Sequence, residues 1–230
     1  MKPWSINAVN LPEHSGNPVH TVKGGMAAGF AGAVVAGTTI AAYMTRPVAE
    51  AWGADWVTAG GYDVAFHGPV LADEPLTVTP DDDQRIVAHA GGRECASLTP
   101  TRNPKPFAAP VGTRLEPRVF KLTDQWTGYA ARAGEDLSLY AIEQLVHPVV
   151  WITLANQVFV EQMIDGAWVH TRSRVAHYGT VNPGDVVVVE AFEIDRFETR
   201  SGERAVVQME MTLNGEPVVH IEHEALVRLF

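Results

Sequence analysis

The stretches GFAGAVVAGTTIAAYM (29–44) and HPVVWITLANQVFVEQM (147–163) are both small or apolar and nearly free of charge. Their surroundings match as well. A turn precedes each, SGNPVH at 15–20 and EDLSLY at 135–140. A Gly-then-Trp-Val step follows each, GADWV at 53–57 and GAWV at 166–169, and reads as the approach to a strand. Then come two strand-turn-strand units, VAFHGPVLADEPLTV (64–78) and VAHYGTVNPGDVVVV (175–189). Four pieces recurring in one order define an internal repeat. The separation between copies shrinks from His20–Tyr140 to Val70–Val181, so the first helical region is the longer.

Each half closes in β-like sequence. RIVAHAGGRECASLTPT (85–101) ends the first; EAFEIDRFETR (190–200), RAVVQMEMTL (204–213) and PVVHIEHEALVRL (217–229) end the second. Val206, Gln208, Glu210 and Thr212 alternate with Val207, Met209, Met211 and Leu213, the pattern of a strand with one buried face. Asn214-Gly215 signals a hairpin, and Asp81, Asp82 and Asp83 mark another turn. Between the halves TPTRNPKPFAAPVG (99–112) is rich in proline and without periodicity, so 102–112 reads as a surface linker. A helix too apolar to be solvated all round, and a sheet with a face to cover, solve each other's problem by packing together. The expected fold is α+β: two helix-on-antiparallel-sheet units, 1–101 and 113–230, paired side by side.

At 230 residues, 46% of them hydrophobic, the chain can bury a sizeable core. Its net charge of −10 argues against nucleic acid and anionic membranes as partners. The single cysteine, Cys95, cannot form an internal disulfide, which fits a reducing cytoplasm. No Cys/His cluster has zinc spacing, so no metal site is expected. MKPWSINAVNLPEHSG lacks the apolar run of a signal peptide. The uncharged run 24–45 is long enough to span a bilayer, but its Gly and Ala content suits a helix wrapped by other backbone, and no membrane span is expected.

The motifs resemble those of the hotdog superfamily, and more narrowly the MaoC-like enoyl-thioester hydratases and dehydratases. That family carries D-x-N-P-[IL]-H, then GF-x-x-P-[IL]-x-H-G, then F-x-x-P-V-x-x-G-D-x-L. Asn17, Pro18, Val19 and His20 match the first; Gly29, Phe30 and Gly37 the second; Phe66, Pro69, Val70 and Leu76 the third. Val181, Gly184 and Asp185 repeat the third in the second half. The likeness covers nearly the whole chain as a tandem double hotdog. It departs where chemistry matters. The family's Asp falls on Ser15, and its helix-motif Pro and His fall on Ala33 and Ala36. In the second half the Asp position falls on Glu135 or Asp136, and the His position on Tyr140.

The resemblance implies hydration or dehydration of an enoyl or 3-hydroxyacyl thioester. The carrier, coenzyme A or a carrier protein, arrives as part of the substrate, and no further cofactor is needed. His20 would be the base, with Ser15 or Glu13 beside it in place of the family's Asp. Asn17, Gly37 and Phe30 would shape the site, with a backbone N–H near Gly37 holding the enolate oxygen. Glu135, Asp136 and Tyr140 are the second-half candidates, and a site combining His20 with Glu135 is not expected. Two other readings stand beside this one: a hotdog thioesterase, for which Glu135, Asp136 and Glu161 are the available carboxylates, and a non-catalytic acyl-binding double hotdog. Arg172 and Arg174 alternate on a strand and face either a coenzyme A phosphate or water. Since the paired unit is already in one chain, a monomer or a homodimer is expected.

Overall fold

The computed structural model describes residues 1–81 and 84–229. Of the three aspartates expected at the first turn, Asp82 and Asp83 lie outside the described residues. Asp81 does hold a turn: its N–H donates to the Arg85 carbonyl at 2.8 Å, and its Oδ1 accepts from the Arg85 N–H at 2.9 Å.

Strands β1 (Trp4–Asn7), β2 (Gly61–Phe66), β3 (Pro75–Pro80), β4 (Ile86–Ala90) and β5 (Arg93–Thr101) belong to the first half. The second half supplies β6 (Thr113–Arg114), β7 (Arg118–Lys121), β8 (Val169–His177), β9 (Val186–Thr199), β10 (Gly202–Leu213) and β11 (Glu216–Leu229). Among the described residues they form one antiparallel sheet in the order β1-β3-β4-β5-β2-β8-β11-β10-β9-β6, with β7 also on β9. The seam between the halves is β2 against β8, in register from Gly61–Ala176 to Ala65–Arg172. On either side of it the order repeats: β5, β4, β3, β1 on one flank, β11, β10, β9, β7 on the other. This is a double hotdog.

The helices are α1 (Val22–Ala27), α2 (Gly37–Ala59), α3 (Asp124–Thr127), α4 (Tyr129–Arg132), α5 (Leu139–Glu143) and α6 (Val149–Gln162). The long ones, α2 and α6, lie against the sheet. Ile40 to Thr45 of α2 are all buried, as are Trp151, Ile152, Leu154 and Phe159 of α6. On β10 the odd-numbered Val207, Met209 and Met211 are buried and the even-numbered residues are partly wet, as the alternation predicts. Asn214 and Gly215 both take positive φ, 54° and 87°, the backbone of a tight two-residue hairpin.

Two sequence expectations are corrected. The first helix does not begin at Gly29. Gly29 has φ of 86°, and the chain then runs extended, with the Val35 N–H donating to the Val70 carbonyl at 2.8 Å; α2 starts only at Gly37. Nor does GADWV approach a strand. It lies inside α2, which breaks at Gly53 (φ 70°) and resumes. Trp56 stays helical because its ring is buried there, with Nε1–H on the Gly61 carbonyl at 3.1 Å. Only the second copy, GAWV, leads into a strand. Among the described residues no helix is long and apolar enough to cross a membrane.

Residues 102–112 carry neither helix nor strand. They run over the solvent side of the second half, where Phe107 packs under the Arg174 guanidinium at 4.1 Å and the Ala108 carbonyl accepts from Gln208 Nε2 at 2.7 Å.

Candidate active site

The segment PEHSGNPVH (12–20) folds as two short 3₁₀ turns, Pro12–His14 and Pro18–His20. Proline sets φ at the start of each. Asn17 caps the second: its Oδ1 accepts from the Val19 N–H at 3.4 Å. That leaves its amide group as donor, to the Trp168 carbonyl at 2.9 Å and toward His20 Nε2 at 3.4 Å. His20 Nδ1 lies 2.7 Å from the Val34 carbonyl oxygen. A carbonyl can only accept, so Nδ1 carries the hydrogen and Nε2 presents its lone pair. Burial pushes the His20 pKa below its ordinary value, partly offset by the bond to Val34. The ring is therefore a neutral base, held in one tautomer.

Its neighbours tie the two halves together. His14, whose ring centroid is 5.4 Å from that of His20, bonds through Nε2 to the Tyr129 hydroxyl at 2.7 Å. Tyr129, buried in α4, also meets Thr38 Oγ1 at 2.8 Å and Thr39 Oγ1 at 2.7 Å in the first turn of α2. Burial, then the repulsion His14 would meet from a protonated His20, lowers the His14 pKa to about 4.

His20 lines a cavity of about 880 Å³ between the halves. Phe30 and Gly37 line it from the first half; Asn156, Trp168 and His170 line it from the second. Gly37 opens α2, so its N–H has no intrahelical acceptor and sits at the positive end of the helix dipole. A Cβ at Gly37 would lie 3.0 Å from His170 Nδ1 and 3.3 Å from Phe66 Cζ. Glycine is there because the His170 and Phe66 rings close on the helix end. Among the described residues, no carboxylate lines this cavity.

The remaining candidates lie elsewhere. Ser15 is exposed and not among the lining residues. Glu13 is also outside, paired with Arg132 at 3.2 Å. Glu135, Asp136 and Tyr140 border a separate space of about 290 Å³ in the second half. There the Val146 N–H donates to the Val181 carbonyl at 3.0 Å, as Val35 does to Val70. By that equivalence His147 stands where Ala36 does, and Pro148 where Gly37 does. Proline has no N–H, so the second helix offers no donor at the matching position. His147 Nδ1 accepts from the Val149 N–H at 3.0 Å, leaving its other nitrogen 3.1 Å from Glu135 Oε2. Both side chains are buried, and Arg46 reaches Glu135 at 3.2 Å and Asp136 at 3.1 Å. Glu161 is paired with Arg118 at 2.6 Å. Arg172 is bound to Asp63 and Arg174 to Glu222, so neither arginine is a free cation. Among the described residues no group of His, Cys, Asp and Glu is placed to hold a metal.

The sequence reading missed His170, Asn156, Trp168 and Tyr129. His170 and Ser173 are both buried although an odd step apart on β8. A bulge between Glu224 and Ala225 of β11, where the pairing skips Thr171, breaks the alternation that would have exposed them.

No protein-family model matches the sequence. A search of curated proteins also finds no match. Solved structures do match over the whole chain. A MaoC-like dehydratase is 13% identical, with 100% of this chain and 98% of that one covered and a TM-score of 0.63. Rv0216 of Mycobacterium tuberculosis, a double hotdog, is 13% identical, covering 98% and 96%, with a TM-score of 0.62. A candidate oleoyl thioesterase from Lactobacillus plantarum is 8% identical, covering 98% and 96%, with a TM-score of 0.56. At these identities the likeness establishes the fold, and it spans dehydratases and thioesterases alike.

Proposed function

We propose that the chain is a hydratase or dehydratase of enoyl or 3-hydroxyacyl thioesters, with His20 as its base. One observation carries this reading: His20, whose Nε2 keeps its lone pair because Val34 holds Nδ1–H, lines the same cavity as the N-terminal end of α2. In hydration His20 takes a proton from water as the hydroxide bonds the β-carbon. Electrons then collect on the thioester oxygen, where the Gly37 N–H and the helix dipole hold the charge. The α-carbon takes the proton back from His20, which ends as it began. One base suffices because it acts first as acceptor and then as donor.

A second reading, thioester hydrolysis, rests on the same two features, the His20 base and the N-terminal end of α2. A base and an oxyanion donor are all that water attack at the carbonyl needs. Crotonyl-CoA separates the two. Loss of enoyl absorbance without thiol release supports hydration; thiol release supports hydrolysis. Loss of whichever activity is found in His20→Ala ties it to this site, and turnover unchanged by that substitution overturns both readings.

A further inference from the structure

The cavity also holds a buried imidazole that this mechanism does not use. His170, on β8 of the second half, is 6% exposed, and among the described residues its Nδ1 has no hydrogen-bond partner. An orphaned polar atom in a buried site carries a cost unless something satisfies it. Its position is specific: Nδ1 lies 3.0 Å from where a Gly37 side chain would begin. It therefore faces the end of α2, where the first free N–H groups point. The ring is held from behind. Its Nε2 is 2.8 Å from Ser173 Oγ, and that oxygen is 2.7 Å from His223 Nδ1. The two imidazoles stack at 4.2 Å, and Phe66 packs on His170 at 4.7 Å. Burial lowers the His170 pKa to about 3, so the ring is neutral.

We propose that His170 Nδ1–H is a second donor to the thioester carbonyl oxygen, supplied by the C-terminal half to a site whose base comes from the N-terminal half. The inference rests on the thioester reading above and extends it. Ser173 sets the tautomer: when its hydroxyl donates to His170 Nε2 and accepts from His223 Nδ1–H, the hydrogen of His170 is left on Nδ1. No proton leaves His170 during turnover. It donates a hydrogen bond that strengthens as negative charge collects on the oxygen, as a neutral imidazole beside a helix N-terminus can. With two donors on the oxygen, the α-proton becomes easier to add or remove, and a site with His20 as its one base can work without the carboxylate the family places there.

The test uses the whole chain, with histidines labelled with ¹⁵N and their ring signals assigned through bonds. The probe is the ketone analogue of butyryl-CoA, in which a methylene replaces the thioester sulfur. The expected result is that His20 and His170 signals both move and His170 shows its hydrogen on Nδ1, while His177, buried against the Trp56 carbonyl, stays fixed. Movement of His20 without His170 overturns the inference and leaves the thioester reading standing. Movement of neither overturns both. On crotonyl-CoA, His170→Gln is expected to lower kcat by about 10²-fold with little change in KM. An equal kcat in a folded His170→Gln variant also overturns the inference.

Discussion

His20 Nδ1 donates to the carbonyl of Val34 across 2.7 Å, and this bond decides which nitrogen keeps its lone pair. Because burial lowers the His20 pKa, the base form persists below the ordinary value of 6.5. Activity is expected to be flat above pH 6.5 and to fall only as pH drops through the lowered value. A kcat/KM profile for crotonyl-CoA checks this, and an acid limb centred above pH 7 would contradict it. His20→Asn, which keeps polarity but removes the base, is expected to lower kcat by about 10²–10⁴-fold.

Gly37→Ala tests the closed end of α2. Alanine is the better helix former by about 1 kcal/mol, but its Cβ would press His170 Nδ1 at 3.0 Å and Phe66 Cζ at 3.3 Å. Overpacking typically costs about 1–3 kcal/mol, so thermal stability is expected to change little or fall slightly. Activity is expected to drop more than tenfold, because the displaced rings and N–H share the cavity wall. Parallel melting curves and initial rates give the comparison.

Glu135 predicts a structural loss. Its carboxylate is buried between Arg46 and His147. Removing one member of a buried charged cluster strands the others, at about 3–5 kcal/mol. Glu135→Ala should shift the urea midpoint accordingly, and Glu135→Gln, which keeps the shape, should lose less. A midpoint unchanged in Glu135→Ala would show that the cluster contributes nothing net.

Acid should destabilise the fold through its buried histidines. Burial lowers His170 to about 3 and His177 to about 4, and it lowers His223 as well. The unfolded chain binds these protons near pH 6.5 and the folded chain does not. Stability is therefore complete above pH 6.5 and lost as pH falls toward those folded values. At pH 5, His170 and His177 would each have given up about 2 kcal/mol. Urea unfolding at pH 7 and pH 5 measures the difference, and equal midpoints would refute it.

The repeat, the apolar helices and the hairpin at Asn214-Gly215 were legible because each depends on local pattern: periodicity, charge and a turn that needs positive φ. The start of α2 was not. Residues 29–36 are as small and apolar as the helix beyond them, and bonds to residues distant in sequence, Val35 to Val70 and Ala72 to Ala33, hold them extended. GADWV and GAWV look alike, yet burial of Trp56 keeps the first in a helix. In the site, His20, Asn17, Phe30 and Gly37 were found from motif spacing, and all four line the cavity. Ser15, at the family's Asp position, and Glu13, two residues before it, turn outward, because the Pro12–His14 turn presents them to solvent. Tyr129 could not be read from its own segment, since its partners His14, Thr38 and Thr39 come from the other half, and neither could His170, since the Gly37 end of α2 that it meets does too.

The seam between β2 and β8 has a consequence of its own. In a two-fold homodimer every substitution appears twice, so a residue that improves one pocket is imposed on its mate. Joining both units in one chain lifts that rule. Gly37 and Pro148 occupy matching places here, one leaving a backbone donor free and the other lacking it. One half can keep an open cavity while its twin gives up the equivalent space to a buried acid–imidazole pair. The covalent link lets the two copies of the scaffold differ, and side chains of the second complete the wall of the cavity beside His20.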